Sequence, residues 1–383
     1  MTRVAVYTDY RYGRDGNRVF AERAFALFLV ALAPHLERLV IVGKVEPELG
    51  ESHYELGEGV EFAELPYYTS LTAPRELARV ALRATAAFWR VLDGVDAVWL
   101  LGPHPLGVVY AALARLRGRS VSLGVRQDFR RYVRARHPGR RWVHLTGDLL
   151  EGVWRLMARR SRMVAVGPDL ARQYPHARTL ELTVSLVRRQ DIRDAGDAAA
   201  DFDGDVLYAL SVGRLEQEKN PLLLADIAAR LVRDDPRWRL IVCGEGPLDD
   251  ALRERLAELG IADHVDLRGY VAHDRGLRDI YRSSHALLHV SWTEGLPQVL
   301  FEAFAARLPV VATAVGGVPS AAGDAALLIE PGDAGAAADA LGRVAADPAL
   351  RERLVAAGVN RVSAHTLESE AARVAAFITP PTR

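Results

Sequence analysis

Short runs of β-branched and other apolar residues alternate, from one end of the chain to the other, with longer stretches rich in Ala, Leu and Arg. A short apolar run bounded by turn residues reads as a strand buried on both faces, and the longer stretches read as the helices that cover it. In the first half this pattern predicts strands over 4–8, 39–42, 97–101, 121–125 and 163–166, with helices over 19–33, 75–91, 106–116, 148–160 and 168–174. Residues 190–205 then break the rhythm: they are Asp, Ala and Gly with few apolar anchors, the composition of a linker. The alternation restarts with strands over 206–212, 239–243, 265–267, 286–290 and 309–313 and helices over 221–233, 247–259, 274–282 and 297–306. Two doubly wound, Rossmann-like α/β domains are therefore expected, at 1–195 and 196–365, followed by a terminal helix and tail at 366–383. Open α/β sheets bind ligands beyond the carboxyl ends of their strands, so the two domains are expected to face one another across a cleft.

The length of 383 residues agrees with two cores rather than one. A lone cysteine, Cys243, excludes a disulfide framework and a cysteine zinc site and fits a reducing compartment. No charged and apolar leader precedes the first strand, and no apolar run approaches the roughly 20 residues that cross a bilayer. The short apolar run 24–34 ends at Pro34, His35 and Glu37 and reads as a buried helix. A cytoplasmic protein, at most peripheral at the inner face of a membrane, is the expectation.

Charge adds an asymmetry. The chain is neutral overall, but residues 1–195 hold 30 basic residues against 21 acidic ones, and the remainder holds 19 against 28. An acidic partner or an anionic surface is thus expected for the first half only. Of the 49 basic residues only Lys44 and Lys219 are lysines, so each of those two asks for a specific reason.

The most informative stretch is Ser291-Trp-Thr-Glu294-Gly-Leu-Pro-Gln-Val-Leu-Phe-Glu302. It follows a buried strand and opens a helix, with Pro297 near the first helical position, where a missing N–H costs nothing. Free N–H groups and the positive dipole end make such a helix start an anion site, and Gly295 lets a ligand approach the backbone. Glu294 ahead of the helix and Glu302 about two turns inside it can accept hydrogen bonds from two separate sets of sugar hydroxyls. Two glutamates at this spacing arise about once by chance in a chain of this length; the strand, Gly, Pro and helix around them carry the signal. A second element, Gly213-Arg214-Leu-Glu-Gln-Glu-Lys219-Asn-Pro221, directly follows the first strand of the second half. The planar fork of Arg214 and the mobile ammonium of Lys219 suit a diphosphate. The plainer alternative is a solvated loop in which they pair with Glu216 and Glu218.

Other signals are weaker. Asp201-Phe-Asp203 matches a metal-binding Asp-x-Asp but falls in the Asp-rich linker, so no metal site is assigned. His104, after a buried strand, either faces the cleft or orders a turn. His273, His285 and His289 have no ligand spacing with acids or with each other. No G-x-G-x-x-G follows a first strand, which argues against a dinucleotide dehydrogenase. Residues 126–142 carry seven arginines with Phe129, Tyr132 and Trp142 interleaved. A solvated basic face, contact with an anionic leaflet, or contact with an acidic acceptor are the readings; nucleic acid is not expected.

Five motifs together resemble glycosyltransferase family 4. They are Gly213-Arg-Leu-x-x-x-Lys219, Gly244-Glu-Gly-Pro247, Leu267-Arg-Gly269, the Ser291–Glu302 stretch continuing into Ala303, and Pro309-Val-Val-Ala-Thr-Ala-Val-Gly316-Gly317-Val-Pro319. They stand in that family's order and spacing over about residues 206–332. The resemblance implies a GT-B fold, a retaining mechanism, no cofactor and no catalytic metal, and a terminal helix that crosses back to the first domain. It implies Arg214 and Lys219 on the diphosphate of a nucleoside diphosphate sugar, Glu294 on the sugar, and the backbone of Gly295, Leu296 and Pro297 near sugar and phosphate. Glu302 falls to the ribose, and Val271, with Tyr270 before it, borders the base; Glu294, Arg214 and Lys219 carry the catalysis.

The first half departs from the family pattern. Its glycine loop after the first strand could be served by either Gly13 or Gly16, and Arg126-Gln127-Asp128 stands where a His, often followed by Asp, is usual. With His104, the residues Gly13, Gly16, Gln127 and Asp128 are the expected contacts of that domain. Ser320 replaces a common Glu. The expected activity is transfer of a sugar to an acceptor that is a small molecule, a glycan or a lipid-linked molecule. The alternatives are a nucleotide-sugar epimerase or phosphorylase of the same fold, or a non-catalytic nucleotide-sugar-binding subunit.

Overall fold

A computed structural model describes residues 2–46, 54–57, 59–67, 74–137, 139–175, 177–194, 201–271 and 275–380. His273, Pro138 and residues 195–200 of the expected linker lie outside the described residues. The chain divides into two compact units, the first made of Met1–Leu186 with Leu367–Arg383, the second of Val187–Thr366.

In the first unit the strands are β1 (Arg3–Asp15), β2 (Arg18–Ala21), β3 (Arg38–Val45), β4 (Tyr54–Glu55), β5 (Glu61–Leu65), β6 (Ala97–Gly102), β7 (Ser120–Val125), β8 (Arg162–Val166) and β9 (Arg178–Leu182). Its helices are α1 (Phe25–Val30), α2 (Pro74–Val91), α3 (Pro105–Leu116), α4 (Phe129–Arg136), α5 (Arg141–Ala158) and α6 (Pro168–Arg172), and α14 (Leu367–Ile378) joins them from the end of the chain. Parallel pairing runs β5-β3-β1-β6-β7-β8-β9, so the strand order reverses at β1. Val4 and Val6 on β1 and Val98 and Leu100 on β6 are fully or almost fully buried, as both faces of the sheet are covered. Val374, Ala375 and Ile378 of α14 are buried in this unit, and the Arg373 guanidinium donates to the carbonyl of Glu181 at the end of β9.

The second unit holds β10 (Leu207–Val212), β11 (Trp238–Cys243), β12 (Val265–Gly269), β13 (Ala286–His289), β14 (Val310–Thr313) and β15 (Ala326–Ile329). They form a wholly parallel sheet in the order β12-β11-β10-β13-β14-β15. Successive strand residues point to opposite faces. Leu207, Leu240, Val242, Leu288 and Val311 enter one core with α7 (Leu222–Asp234), α8 (Asp249–Glu258) and α12 (Ala334–Ala346). Leu210, Ile241, Leu287, Val310 and Ala312 enter the other with α9 (Arg275–Ser283), α10 (Gln298–Ala305) and α11 (Val318–Ala322). Phe304 of α10 packs against Gly358 of α13 (Pro348–Ala364), where a Cβ would stand 2.7 Å from the ring. Truncating Phe304 to Ala would cost about 3–5 kcal/mol.

Three expectations are corrected. The boundary between units falls at 186/187, not 195/196, because Val187 sits in the second unit's core, Asp191 pairs with Arg278 at 2.8 Å, and the Arg193 N–H donates to the carbonyl of Ala305. The helix expected over 19–33 is confined to α1 at Phe25–Val30, because β1 overruns its sheet, shifts register between Tyr7 and Arg11, and folds back as a hairpin with β2 at Arg18–Ala21. Gly13 is therefore a strand residue opposite Phe20, and Gly16 takes the hairpin turn at φ +57°; neither lies in a glycine loop that opens a helix. The helix expected over 148–160 begins earlier, at Arg141, and α4 precedes it. Edge strands β5 and β9 escaped notice because each is half exposed and carries Glu among its apolar residues, unlike a strand covered on both faces.

Candidate active site

The order of the second sheet reverses between β10 and β13, and the loops leaving the carboxyl ends of those two strands are the Arg214–Lys219 and Ser291–Pro297 segments. A crevice at such a reversal is where doubly wound sheets place ligands. The loops are joined: the Trp292 N–H donates to the carbonyl of Glu218 at 2.9 Å. Gly213, Arg214, Lys219, His289 and Ser291 line one small cavity there.

Three of these residues, Lys219, His289 and Ser291, meet Glu294, whose side chain is 8% exposed. Its Oε1 accepts from Lys219 Nζ at 2.5 Å and from Ser291 Oγ at 2.7 Å. His289 Nε2 stands 3.1 Å from the same oxygen, close enough for attraction, although its angle does not make a hydrogen bond. Burial works to raise the Glu294 pKa, but the His289 ring and the Lys219 ammonium outweigh it and hold the carboxyl at about 2. The site therefore keeps a buried carboxylate ionised at neutral pH.

The neighbouring loops touch backbone to backbone, which explains three motif glycines. A Cβ on Gly316, at φ +51°, would lie 1.9 Å from the Glu294 carbonyl oxygen, and one on Gly317 would lie 1.8 Å from that of Gly295. Likewise a Cβ on Gly244 would lie 1.9 Å from the Gly213 carbonyl oxygen. Only residues without a Cβ allow the turns after β10, β11, β13 and β14 to close on one another.

Pro297 occupies the cap position of α10, so the first helical N–H groups belong to Gln298 and the residues after it. Gly295 is exposed and Leu296 half-buried ahead of that helix start. Glu302, on the next turns of α10, accepts from the Tyr281 hydroxyl of α9 at 2.8 Å. Burial, and then the Glu302 charge, push the Tyr281 phenol well above its usual range, so it stays a donor to that carboxylate. Val271 packs on the edge of the core shared by α9 and α10, and the Tyr270 N–H donates to Glu245 Oε1 at 3.0 Å. Arg214 is exposed and its guanidinium is bonded to Glu216 and, at 2.8 Å, to Glu218. The loop thus pairs with its own acids, while Lys219 reaches across to Glu294.

The first unit carries a second polar cluster at its own reversal point, between β1 and β6. Lys44 Nζ donates to Asp9 Oδ1 at 3.2 Å, and His104 Nε2 lies 3.4 Å from the same oxygen. His104 Nδ1 accepts from the Tyr7 hydroxyl at 2.8 Å and from the Leu106 N–H at 3.2 Å, which leaves the proton on Nε2, facing Asp9. Burial lowers the His104 pKa against the pull of Asp9, so the ring is neutral. Both lysines of the chain thus stand at the carboxyl edge of a sheet, each against a carboxylate. Gln127 is exposed just past β7, whereas Asp128 accepts from the Arg131 N–H and caps α4. Gly13 and Gly16 lie in the hairpin of β1 with β2.

The sequence reading missed Ser291 and His289 as partners of Glu294, Tyr281 as the holder of Glu302, and Asp9. His289 has no ligand spacing in the sequence; it stands five positions before Glu294, and only the turn after β13 folds them together. Asp201 and Asp203 form a turn, with Asp201 Oδ1 accepting from the Asp203 N–H. His285 bonds the Asp201 carbonyl and the Tyr208 N–H in that same structural corner. No group of three or more potential metal ligands gathers among the described residues.

Residues 193–361 match the model of the family described as "Glycosyl transferases group 1". A D-inositol 3-phosphate glycosyltransferase of Frankia alni is 40% identical over 174 residues, 43% of this chain and 42% of that protein. The phosphatidylinositol N-acetylglucosaminyltransferase gpi3 subunit of Schizosaccharomyces pombe is 33% identical over 135 residues, 35% of this chain and 28% of that one. The matched region is thus less than half the length of these curated relatives. Among solved structures, HepE of Anabaena in complex with UDP superposes with a TM-score of 0.71 at 15% identity, covering 98% of each chain. WaaG, a glycosyltransferase involved in lipopolysaccharide biosynthesis, gives 0.68 at 16% identity over 98% of this chain and 99% of that one. At such identities the likeness establishes the fold, and the fold is GT-B.

Proposed function

We propose that this chain transfers a sugar from a nucleoside diphosphate sugar to an acceptor, with retention at the anomeric carbon and without a metal ion. One observation carries the reading: two cations, a buried carboxylate held ionised, and a helix start converge where the second sheet reverses its strand order. The family match over the same residues supports it, as does the UDP bound by a structural neighbour.

In this reading Arg214 and Lys219 hold the diphosphate, together with the positive dipole end at the start of α10. Glu294 accepts from sugar hydroxyls, the backbone of Gly295, Leu296 and Pro297 borders sugar and phosphate, Glu302 accepts from the ribose, and Val271 lies beside the base. The bond from the anomeric carbon to the phosphate oxygen breaks, with its electron pair passing to the phosphate. The acceptor oxygen bonds to the same face of that carbon, and its proton passes to the departing phosphate oxygen. Arg214, Lys219 and the helix start meet the charge that develops there. Asp9, oriented by Lys44 and His104, holds acceptor hydroxyls.

The test is calorimetry with UDP, GDP and ADP on the wild type and on Arg214→Ala and Lys219→Ala, followed by NMR of the product anomer. Each substitution should cost about 1.5–3 kcal/mol of diphosphate binding. Mutants that bind like the wild type would remove the diphosphate assignment, and an inverted product would remove retention. Turnover should persist in EDTA; loss on chelation with rescue by Mn²⁺ would refute metal independence. A second reading, a nucleotide-sugar-binding subunit without turnover, draws on the Gln127 that stands past β7 in place of an imidazole. Intact donor binding with no product would select it.

A further inference from the structure

Helix α5 presents two opposed faces. Gly147, Glu151, Trp154 and Ala158 are buried against the first unit, with the Trp154 ring filling the space beside Gly102 and Gly107. Val133 of α4 closes against Gly147. On the other side Trp142, Leu145, Leu149 and Leu156 are 56%, 70%, 68% and 62% exposed. At 3.6 residues per turn these four fall within an arc of about 60°, centred opposite the buried face. Such a row of large, exposed apolar side chains on one helix is not the scattered apolar surface of a monomer.

The charge around this row indicates its partner. Residues 126–160 contain ten arginines against three acids. Two of those acids are already neutralised: Asp148 by Arg130 and Arg134, and Glu151, which is buried, by Arg155. Arg140, Arg141, Arg159 and Arg160 are exposed at the two ends of α5, and Arg131 projects from α4 with its side chain 88% exposed. A second copy of this chain docked through the same face would bring two strongly basic surfaces together. An anionic lipid surface supplies opposite charge and an apolar layer at once.

We propose that the outward face of α5 docks on a membrane surface containing anionic lipid. Trp142, Leu145, Leu149 and Leu156 enter the boundary of the acyl layer, and the arginines at the helix ends and on α4 lie among the head groups. The helix rests in the plane of the surface and does not cross it; no helix among the described residues is long and apolar enough to do so. The inference does not rest on sugar transfer, because it uses none of the residues assigned to the donor.

The experiment is co-sedimentation of the full chain, without donor, with vesicles of phosphatidylcholine alone and of phosphatidylcholine mixed with phosphatidylglycerol. Binding is expected to the mixed vesicles, at least tenfold weaker to phosphatidylcholine alone, and reduced by raising salt from 50 to 500 mM. The double variant Leu145→Glu/Leu149→Glu should lose at least tenfold in partitioning. Leu145→Gln/Leu149→Gln, which adds no charge, should also lose binding while keeping the wild-type circular dichroism and thermal midpoint. Equal binding to both vesicle types, or retention of binding by both variants, would overturn the proposal. So would light scattering that shows a wild-type dimer, monomeric in the variants, with no vesicle binding.

Discussion

The pairing of Lys219 with Glu294 can be tested through stability before any substrate is known. The structure holds the Glu294 carboxyl at about 2, against a usual 4.5, a depression of about 2.5 pH units. At 1.36 kcal/mol per unit, the charged form contributes about 3 kcal/mol, shared between His289 and Lys219. Because the folded pKa is lowered, that contribution is complete above the unfolded pKa of about 4.5 and is lost as pH falls from there towards about 2. Glu294→Gln keeps the shape and removes the charge. Urea denaturation of wild type and variant, compared at each pH from 7 to 3, should show a gap of about 3 kcal/mol at neutral pH that narrows below about pH 4.5. Lys219→Met should produce a smaller gap that narrows in the same window, and the double variant should lose less than the sum of the two, since each removes the same contact. A gap that does not change with pH, or additive losses, would show that the charge pairing is not what holds the two loops together.

Three further outcomes follow from the geometry. Glu302→Ala should weaken UDP or GDP and the intact donor alike and raise KM more than it lowers kcat, whereas Glu294→Ala should leave nucleotide affinity nearly unchanged and lower kcat; calorimetry paired with turnover separates them, and reversed signatures would mean the donor lies the other way round. Arg214 is held by Glu216 and Glu218, so Glu216→Gln/Glu218→Gln should tighten nucleoside diphosphate binding, by up to about tenfold at low salt, and unchanged calorimetry would show that these acids do not compete. Gly316→Ala, with a Cβ 1.9 Å from the Glu294 carbonyl oxygen, should cost about 1–3 kcal/mol of stability and most of the turnover, and a normal melting curve with full activity would mean the two turns part easily.

Periodicity alone decided that this is a chain of alternating strands and helices in two halves, because a strand covered on both faces must be apolar at successive positions. That rule holds for β10, β13 and β14 and fails at the edges, which is why β5 and β9, half exposed and bearing Glu, needed the fold to be seen. The segment around Glu294 was legible for a related reason: a helix start after a buried strand imposes Gly and Pro locally, whatever lies elsewhere. The hairpin of β1 with β2 was not legible, since the same apolar residues suit a helix and only pairing along the overrun of β1 selects the strand. Charge partners were the least accessible. That Lys44 and Lys219 are lysines in so Arg-rich a chain marks them out, but Asp9 is 35 residues from Lys44 and Glu294 is 75 from Lys219. Each pair meets only because strands separated in sequence lie side by side in a parallel sheet, β1 beside β3 and β10 beside β13, and that order is a property of tertiary packing.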